Sequence, residues 1–195
     1  PKQGINLHLF LDAQIQAFAE SLMVGRKGAI VLLDTRTGGI LSMISSPDYD
    51  PRWISGIVDP DNWQQLINNP EFPLFNRAIQ STYPPGSTFK LITAIAALEQ
   101  NLITPHWTVN CPGYFVFGNR IFRCWNAKGH GTVNLYSAIE GSCNVFFYQL
   151  GLKLGLEEWT EYAKRFDFGS KTDVDLVNEK SGFVPEKDFY DRRYG

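Results

Sequence analysis

The sequence of 195 residues lacks an excess of charge of either sign, long apolar runs and more than a few cysteines. Its 18 Lys and Arg residues stand against 20 Asp and Glu, for a formal net charge of −2. The basic residues form no cluster, which argues against a nucleic-acid-binding surface. No apolar run reaches the roughly 18 residues that a membrane-spanning helix needs. Three cysteines are an odd number, so a complete set of internal disulfides is excluded.

What remains is an ordinary globular composition, 44% hydrophobic and 19% charged, in a chain long enough for one sizeable core. An amphipathic helix is expected between Leu7 and Val24, and the two apolar runs at 29–33 and 40–44 predict a β-hairpin. Several helices follow from residue 135 to 165, then turns and extended chain from Asp167. Because strands and helices do not alternate, the fold class is predicted as α+β. The helix's predicted apolar stripe consists of Ile15, Phe18, Ala19 and Leu22.

A single charged residue marks the stretch from Ala78 to Leu98. It is Lys90, three residues after Ser87. The residues after Ser87 are apolar nearly all round, which predicts a buried helix where an ammonium is costly unless partners hold it or its pKa falls. Ser87 and Lys90 lie one turn apart on the same helical face. A hydroxyl beside a desolvated lysine is a nucleophile paired with its base, so we expect a Ser87–Lys90 hydrogen bond or a neutral Lys90. The alternative is a helix-capping serine and a lysine that reaches solvent.

A second polar group, Gly141-Ser142-Cys143-Asn144, precedes the apolar start of another helix. Residues two apart point the same way in extended chain. We therefore place Ser142 and Asn144 on the loop entering this helix, facing one cavity. Ser142 is predicted to pass a proton between Lys90 and a leaving group, and the Asn144 amide to donate to a substrate carbonyl. The alternative role of either residue is a helix N-cap.

The cysteines and one histidine form a third pattern, C-x₁₂-C-x₅-H-x₁₂-C, made by Cys111, Cys124, His130 and Cys143. Three thiolates and an imidazole are typical of a closed, tetrahedral structural zinc site. Such a site is predicted to tie the 104–134 segment, expected to be an irregular excursion, to the Ser142–Asn144 loop. A Cys111–Cys124 disulfide with Cys143 free remains an alternative. A third possibility is that the cysteines form neither a metal site nor a disulfide.

The run Pro84-Pro85-Gly86-Ser87-Thr88-Phe89-Lys90, followed about fifty residues later by Ser142-Cys143-Asn144, resembles the penicillin-binding protein transpeptidases. Within that family it is most similar to the elongation-specific class B enzymes of the penicillin-binding protein 2 type. The resemblance implies a β-lactamase/transpeptidase-like fold and D,D-transpeptidation of peptidoglycan stem peptides through a serine acyl-enzyme that β-lactams trap. It also implies a membrane glycan polymerase as partner and the periplasmic side of the bacterial inner membrane as location.

Two departures from the family pattern change what is expected of this chain. The subfamily often has Asp where this chain has Asn144, and the third family motif, Lys-Thr-Gly, does not occur. We therefore expect residues 1–195 to be the first part of a single transpeptidase domain, inactive alone. Relatives hold a metal in the region of the cysteines, with acidic residues in place of Cys111 and Cys124. Two alternatives stay open: a serine β-lactamase or D,D-carboxypeptidase, and a noncatalytic metal-braced fragment.

Overall fold

The computed structural model describes residues 4–194. The chain divides into two compact units, the first formed by Pro1–Ser81 with Leu176–Lys180, the second by Thr82–Asp175 with Ser181–Gly195. Among the described residues no helix has both the length and the apolar character needed to cross a membrane. The prediction of a single domain stays a prediction.

The first unit consists of a helix, an antiparallel hairpin and two short helices. The Asp12 side chain caps the first helix by accepting the Gln14 and Ile15 N–H groups at 2.9 and 3.0 Å, as expected of an N-cap aspartate. The hairpin strands pair with Ile30 opposite Ile44, which confirms the predicted hairpin. The elements are α1 (Ala13–Met23), β1 (Gly28–Leu33), β2 (Ile40–Ser46), α2 (Pro60–Ile67) and α3 (Arg77–Gln80).

The predicted apolar stripe of α1 is only partly correct. Ala19 is buried, but Phe18 and Leu22 are 65% and 49% exposed. The helix docks on β2 through another face, where Gln16 Oε1 accepts the Met43 N–H and the buried Ser42 hydroxyl, each at 3.0 Å. Apolar periodicity alone does not reveal a face that is anchored by a glutamine.

The second unit contains most of the helices and two short pairs of strands. A 3₁₀ turn, Gly86–Phe89, leads directly into its first long helix. The elements are α4 (Lys90–Glu99), β3 (Val109–Cys111), β4 (Tyr114–Phe117), β5 (Arg120–Arg123), β6 (Gly131–Val133), α5 (Leu135–Glu140), α6 (Asn144–Leu154), α7 (Leu156–Arg165) and α8 (Lys187–Tyr194).

The core of this unit forms around α6, whose Phe146 and Leu150 have no exposed surface. The Trp107 ring packs edge-on against Phe146, with centroids 5.0 Å apart. Helix α4 is buried as predicted, with Ala96 and Ala97 at 0% exposure. The 3₁₀ turn and α4 therefore rest on a packed core.

The expectation of an irregular segment at 104–134 is wrong, and so is the extended chain expected at α8. Strands β3 and β6 pair with Val109 opposite Val133, and β4 pairs with β5 with Tyr114 opposite Arg123. The β4–β5 hairpin turns through two residues, Gly118 and Asn119, with Gly118 at φ +56°. A two-residue Gly-Asn loop between runs of aromatic and β-branched residues is a hairpin signal, and it was present in the sequence.

Two leucines on α6 test this description of the core. We expect Leu150→Ala to lower the free energy of unfolding by about 2–5 kcal/mol, because it removes a fully buried side chain. Leu152→Ala, on the same helix but 51% exposed, is the matched control and should cost less than about 1 kcal/mol. Urea unfolding of both variants measures the difference, and equal losses would contradict the packing of α6.

Candidate active site

Ser87 lies in the 3₁₀ turn that precedes α4, at an exposed position. Gly86 before it has φ +60°, a left-handed conformation that glycine adopts without strain. The Thr88 hydroxyl donates to Pro85 O at 2.7 Å and closes the turn. Residues i and i+3 eclipse one another in a 3₁₀ helix, so Ser87 is presented above Lys90, which is half-buried.

The Lys90 ammonium group reaches from the start of α4 to the turn before α6. Its Nζ lies 2.8 Å from Ser142 O, 3.0 Å from Ser142 Oγ and 2.8 Å from Asn144 Oδ1. The Phe147 ring centroid is 5.5 Å from the same nitrogen, within the range of a cation–π contact. These contacts bring together residues that are more than fifty positions apart in the sequence.

This geometry suits both protonation states of Lys90. An ammonium has three N–H donors for the three oxygens, whereas a neutral amine donates to Ser142 O and Asn144 Oδ1 and accepts from the Ser142 hydroxyl. Burial lowers the pKa of Lys90 from its usual value, against the opposing effect of the Cys124 and Cys143 sulfurs. The Ser142 hydroxyl is therefore placed where a proton can enter or leave the amine.

In residues 4–194 the backbone N–H of Lys90 donates to Ser87 O, but the predicted hydrogen bond between the Ser87 hydroxyl and Lys90 Nζ is not found. The Lys90 side chain points instead to the oxygens of Ser142 and Asn144, which satisfy its hydrogen-bonding groups inside the fold. A substrate-free serine at an exposed position can be satisfied by water. One of the two expected arrangements, the side-chain hydrogen bond, is therefore absent, and the other, a neutral Lys90, stays a prediction.

The turn before α6 has a conformation that sequence did not predict. Ser142 has φ +48°, a left-handed conformation uncommon for a residue with a side chain. Its N–H donates to Ile139 O at 3.1 Å, and the Cys143 N–H donates to Ala138 O at 2.8 Å. These bonds hold Ser142 so that both its carbonyl and its hydroxyl face Lys90. Strained residues held by their surroundings are common at functional sites.

Asn144 is the first residue of α6, not part of the loop as expected. Its Oδ1 accepts from Lys90 and its Nδ2 donates to Arg123 O at 3.4 Å. These two contacts fix the orientation of the amide. The amide nitrogen has a second N–H, which remains available for a substrate carbonyl.

The three cysteines and His130 form one cluster behind this turn, with the ligand atoms all within 4.8 Å of one another. His130 Nδ1 lies 3.6 Å from Cys111 Sγ and 3.5 Å from Cys124 Sγ. In a tetrahedral zinc site with Zn–S of about 2.3 Å and Zn–N of about 2.0–2.1 Å, a sulfur and a nitrogen are about 3.5 Å apart. The donor set and these distances fit zinc. All three cysteines are buried free thiols, so the alternative Cys111–Cys124 disulfide is absent.

The start of α6 also sets the electrostatics of the cluster. Cys143 caps the helix, with Sγ accepting the Phe146 N–H at 3.5 Å, and burial raises its pKa to about 11. Burial also acts to raise the pKa of Cys124, but backbone N–H groups, chiefly those of Asn144 and Asn126, outweigh it and the net shift is downward. The N-terminus of α6 thus faces both the sulfur cluster and the hydrogen-bonded set of Lys90, Ser142 and Asn144, which we call the reactive group.

Comparison with known proteins now bears on this geometry. The family model described as the penicillin binding protein transpeptidase domain matches residues 28–195. The chain belongs to the penicillin-binding protein transpeptidase family. Ser87, Lys90, Ser142 and Asn144, the residues expected from the family motifs, all lie in the second unit, and the last three form the hydrogen-bonded group described above.

Individual relatives agree with this assignment. The peptidoglycan D,D-transpeptidase MrdA of Escherichia coli K12 is 36% identical over the whole of this chain, and that of Acinetobacter baumannii is 39% identical over 97% of it. The chain spans 31% and 28% of these relatives, or about a third of their length.

Solved structures confirm the β-lactamase/transpeptidase-like fold. Helicobacter pylori PBP2 matches with a TM-score of 0.90 and 36% identity, over 94% of this chain and 35% of that one. Pseudomonas aeruginosa PBP2 in complex with WCK 5153 matches with a TM-score of 0.89 and 36% identity, over 94% of this chain and 41% of that one.

Sequence reasoning missed the groups that support the four motif residues. Arg123 O orients Asn144, and the Trp125 indole Nε1 donates to Gly141 O at 3.0 Å. The Phe147 ring lies beside Lys90. The backbone carbonyls leave no trace in the sequence, but Trp125, next to Cys124, and Phe147, three residues after Asn144, were visible signals.

A pair of glycines tests how the backbone shapes the sulfur cluster. A Cβ at Gly129, at φ +81°, would overlap Cys111 O, which accepts the His130 N–H at 3.0 Å. We expect Gly129→Ala to lower the free energy of unfolding by more than the 1–2 kcal/mol, roughly, that a left-handed alanine costs. The added Cβ would also push Cys111 away from the His130 N–H. Gly118→Ala, at φ +56° with nothing near its Cβ, is the control and should cost only the conformational part. Urea unfolding compares them, and equal costs would contradict the close packing at Gly129.

Proposed function

We propose that this chain carries the acylation residues of a peptidoglycan D,D-transpeptidase that cross-links stem peptides through a serine acyl-enzyme. The observation that carries the proposal is the bridge from Lys90 Nζ to Ser142 and Asn144. It joins two family motifs into one hydrogen-bonded group, with Ser87 in the turn that leads into α4.

In the proposed reaction, Ser87 Oγ attacks the carbonyl carbon of the penultimate D-alanine. The Ser142 hydroxyl releases the lone pair of neutral Lys90 at this step, and the Ser87 hydroxyl proton passes to it. The burial that lowers the pKa of Lys90 favours this neutral form. The Ser87 N–H lies in the first turn, where backbone N–H groups have no partner within the helix, and it is proposed to stabilise the oxyanion.

Collapse of the tetrahedral intermediate breaks the peptide bond, and the proton held by Lys90 returns through Ser142 to the nitrogen of the leaving D-alanine. An amine of a second stem peptide then attacks the acyl-enzyme. It loses a proton to Lys90, and the Ser87 oxygen leaves and is reprotonated. The second N–H of Asn144 is proposed to hold the donor peptide's carbonyl during both steps.

Related structures support the ligands and partners proposed here. The Mycobacterium tuberculosis penicillin-binding protein A, 33% identical to this chain, was solved as an imipenem acyl-enzyme, and we propose that β-lactams acylate Ser87 in the same way. A peptidoglycan synthase complex that couples polymerization and crosslinking is also similar, at 33% identity and a TM-score of 0.79. We propose a membrane glycan polymerase as partner, with the reaction on the periplasmic side of the inner membrane.

The serine assignment is tested in the full-length enzyme with a fluorescent penicillin. We expect Ser87→Ala to abolish covalent labelling, because it removes the attacking oxygen. Ser181→Ala, an exposed serine in the same unit, is the control and should label like the parent.

Persistent labelling of the Ser87→Ala variant would refute the assignment. The lifetime of the parent's acyl-enzyme separates the transpeptidase from the hydrolase alternatives. A transpeptidase deacylates slowly without an acceptor amine, whereas a β-lactamase or D,D-carboxypeptidase turns over with water. A parent that never labels would favour the noncatalytic alternative.

We also propose that Cys111, Cys124, His130 and Cys143 hold one structural Zn²⁺. The support is the donor set together with the S···N distances given above. Four protein ligands close the coordination sphere and leave no position for substrate. The metal's task is to join the β3–β6 segment to the turn that carries Ser142 and Asn144.

Two histidines test the zinc proposal. We expect His130→Ala to lower bound zinc from about one per chain and to lower thermal stability, because metal binding is coupled to folding. His106→Ala, an exposed histidine outside the cluster, should change neither. Elemental analysis of protein purified without added metal measures the zinc, and its absence from the parent protein would remove the site.

A further inference from the structure

The segment 104–134 has a charge pattern unlike the rest of the chain. It contains three charged residues, Arg120, Arg123 and Lys128, and no Asp or Glu, whereas the whole chain has a net charge of −2. All three side chains are exposed. In the part of the chain that the structure describes, none of them forms an ion pair with a carboxylate. The segment is therefore a positive surface without internal counter-charges.

Of these three residues, Arg123 is anchored beside the reactive group. Its carbonyl accepts from Asn144 Nδ2 at 3.4 Å and from the Tyr148 hydroxyl at 3.3 Å. Asn144 in turn accepts from Lys90 Nζ at 2.8 Å. The backbone of Arg123 is thus held one residue away from Lys90, while its guanidinium remains in solvent.

Trp125 flanks the same turn on the other side of Cys124. Its indole is 67% exposed, although its nitrogen already donates to Gly141 O at 3.0 Å. The exposed surface of the ring is therefore apolar and fixed in position. Cys124 between the two residues is buried, so Arg123 and Trp125 form a rim along the Gly141–Asn144 turn with the sulfur cluster behind it.

An exposed guanidinium two residues along the chain from a fixed aromatic surface suits a peptide that carries a carboxylate. The guanidinium binds carboxylates with two parallel hydrogen bonds, and the indole packs against aliphatic groups. Stem peptides contain an acidic residue upstream of the scissile D-alanyl-D-alanine. We propose that Arg123, supported by Trp125, binds this upstream carboxylate and so selects stem peptides in which it is free, not amidated.

This inference rests on the proposed function, and its test separates the two. The full-length enzyme is given the pentapeptide L-Ala-γ-D-Glu-L-Lys-D-Ala-D-Ala and its D-isoglutamine analogue, which differs only by an amide in place of the carboxylate. Release of D-alanine gives kcat/KM for each. We expect Arg123→Ala to lower kcat/KM for the free-acid peptide about tenfold, the effect of losing a charged hydrogen bond. The same variant should change kcat/KM for the amide analogue less than twofold.

Arg120→Ala is the matched control, because it removes the same charge from the same strand. Arg120 and Arg123 are three apart in β5 and so point to opposite faces. Arg120 also lies opposite Phe117 at the far end of the hairpin. This control should leave kcat/KM unchanged for both peptides. Arg123→Lys should restore part of the preference, because it keeps the charge but loses the paired hydrogen bonds.

Labelling by fluorescent penicillin reports separately on the reactive group. Arg123→Ala keeps the backbone carbonyl that accepts from Asn144, so its labelling rate reports whether Lys90 and Asn144 are still in place. If that variant is unstable, Arg123→Gln serves in its stead. If Arg123→Ala lowers kcat/KM equally for both peptides, or for neither of them, the carboxylate site is overturned. A parent that neither labels nor releases D-alanine would instead contradict the proposed function.

Discussion

The contact of Lys90 Nζ with the oxygens of Ser142 and Asn144 is the interaction on which the candidate site depends. A cation in an apolar helix is costly to bury, and three acceptors within 3.0 Å offset that cost. They do so only if the turn before α6 keeps its left-handed Ser142. Lys90 therefore stabilises the positions of Ser142 and Asn144. These two residues in turn hold Lys90 half-buried, and burial lowers its pKa.

The first residues of α6 link this reactive group to the sulfur cluster. Asn144 faces Lys90, whereas the adjacent Cys143 caps the helix and joins Cys111, Cys124 and His130. Neighbouring residues with opposite orientations transmit any shift of one side to the other. A change in the cluster is thus expected to reach Asn144 through one peptide unit, without a longer route through the core.

Sequence was sufficient for the parts of this molecule that depend on local pattern. The isolation of Lys90 in an apolar stretch predicted the buried helix α4, and the residue types, three cysteines and a histidine, led us to expect the cluster that the structure shows. Sequence-based prediction failed where hydrogen bonds between residues distant in the sequence, or between adjacent elements, determine the local conformation. The left-handed turn at Ser142 depends on the carbonyls of Ala138 and Ile139, and the docking face of α1 depends on Gln16. Of the two arrangements expected for Lys90, the side-chain hydrogen bond to Ser87 is absent because Lys90 Nζ bonds to the oxygens of Ser142 and Asn144, which are distant in the sequence.

The strands in 104–134 were missed for a different reason, since their signals were present but short. Each strand has three or four residues, below the length at which alternation is distinct. Cysteines of the sulfur cluster flank these strands: Cys111 ends β3 and Cys124 follows β5. Short strand pairs bury little apolar surface, so the proposed zinc at the sulfur cluster would stabilise this segment in a way that a larger sheet would not need.

The division between buried and exposed groups also indicates where selectivity can arise. Lys90, Ser142 and Asn144 are each held by more than one hydrogen bond, and a substitution that changes one disturbs the others. Such a group can perform one reaction but has little freedom to discriminate between substrates. Arg123 and Trp125 differ, because a backbone carbonyl in one and an indole nitrogen in the other fix them to the site while a large part of each side chain stays in solvent. If the proposed function holds, recognition of the peptide can therefore vary along this rim without a change in the proposed chemistry of Lys90, Ser142 and Asn144.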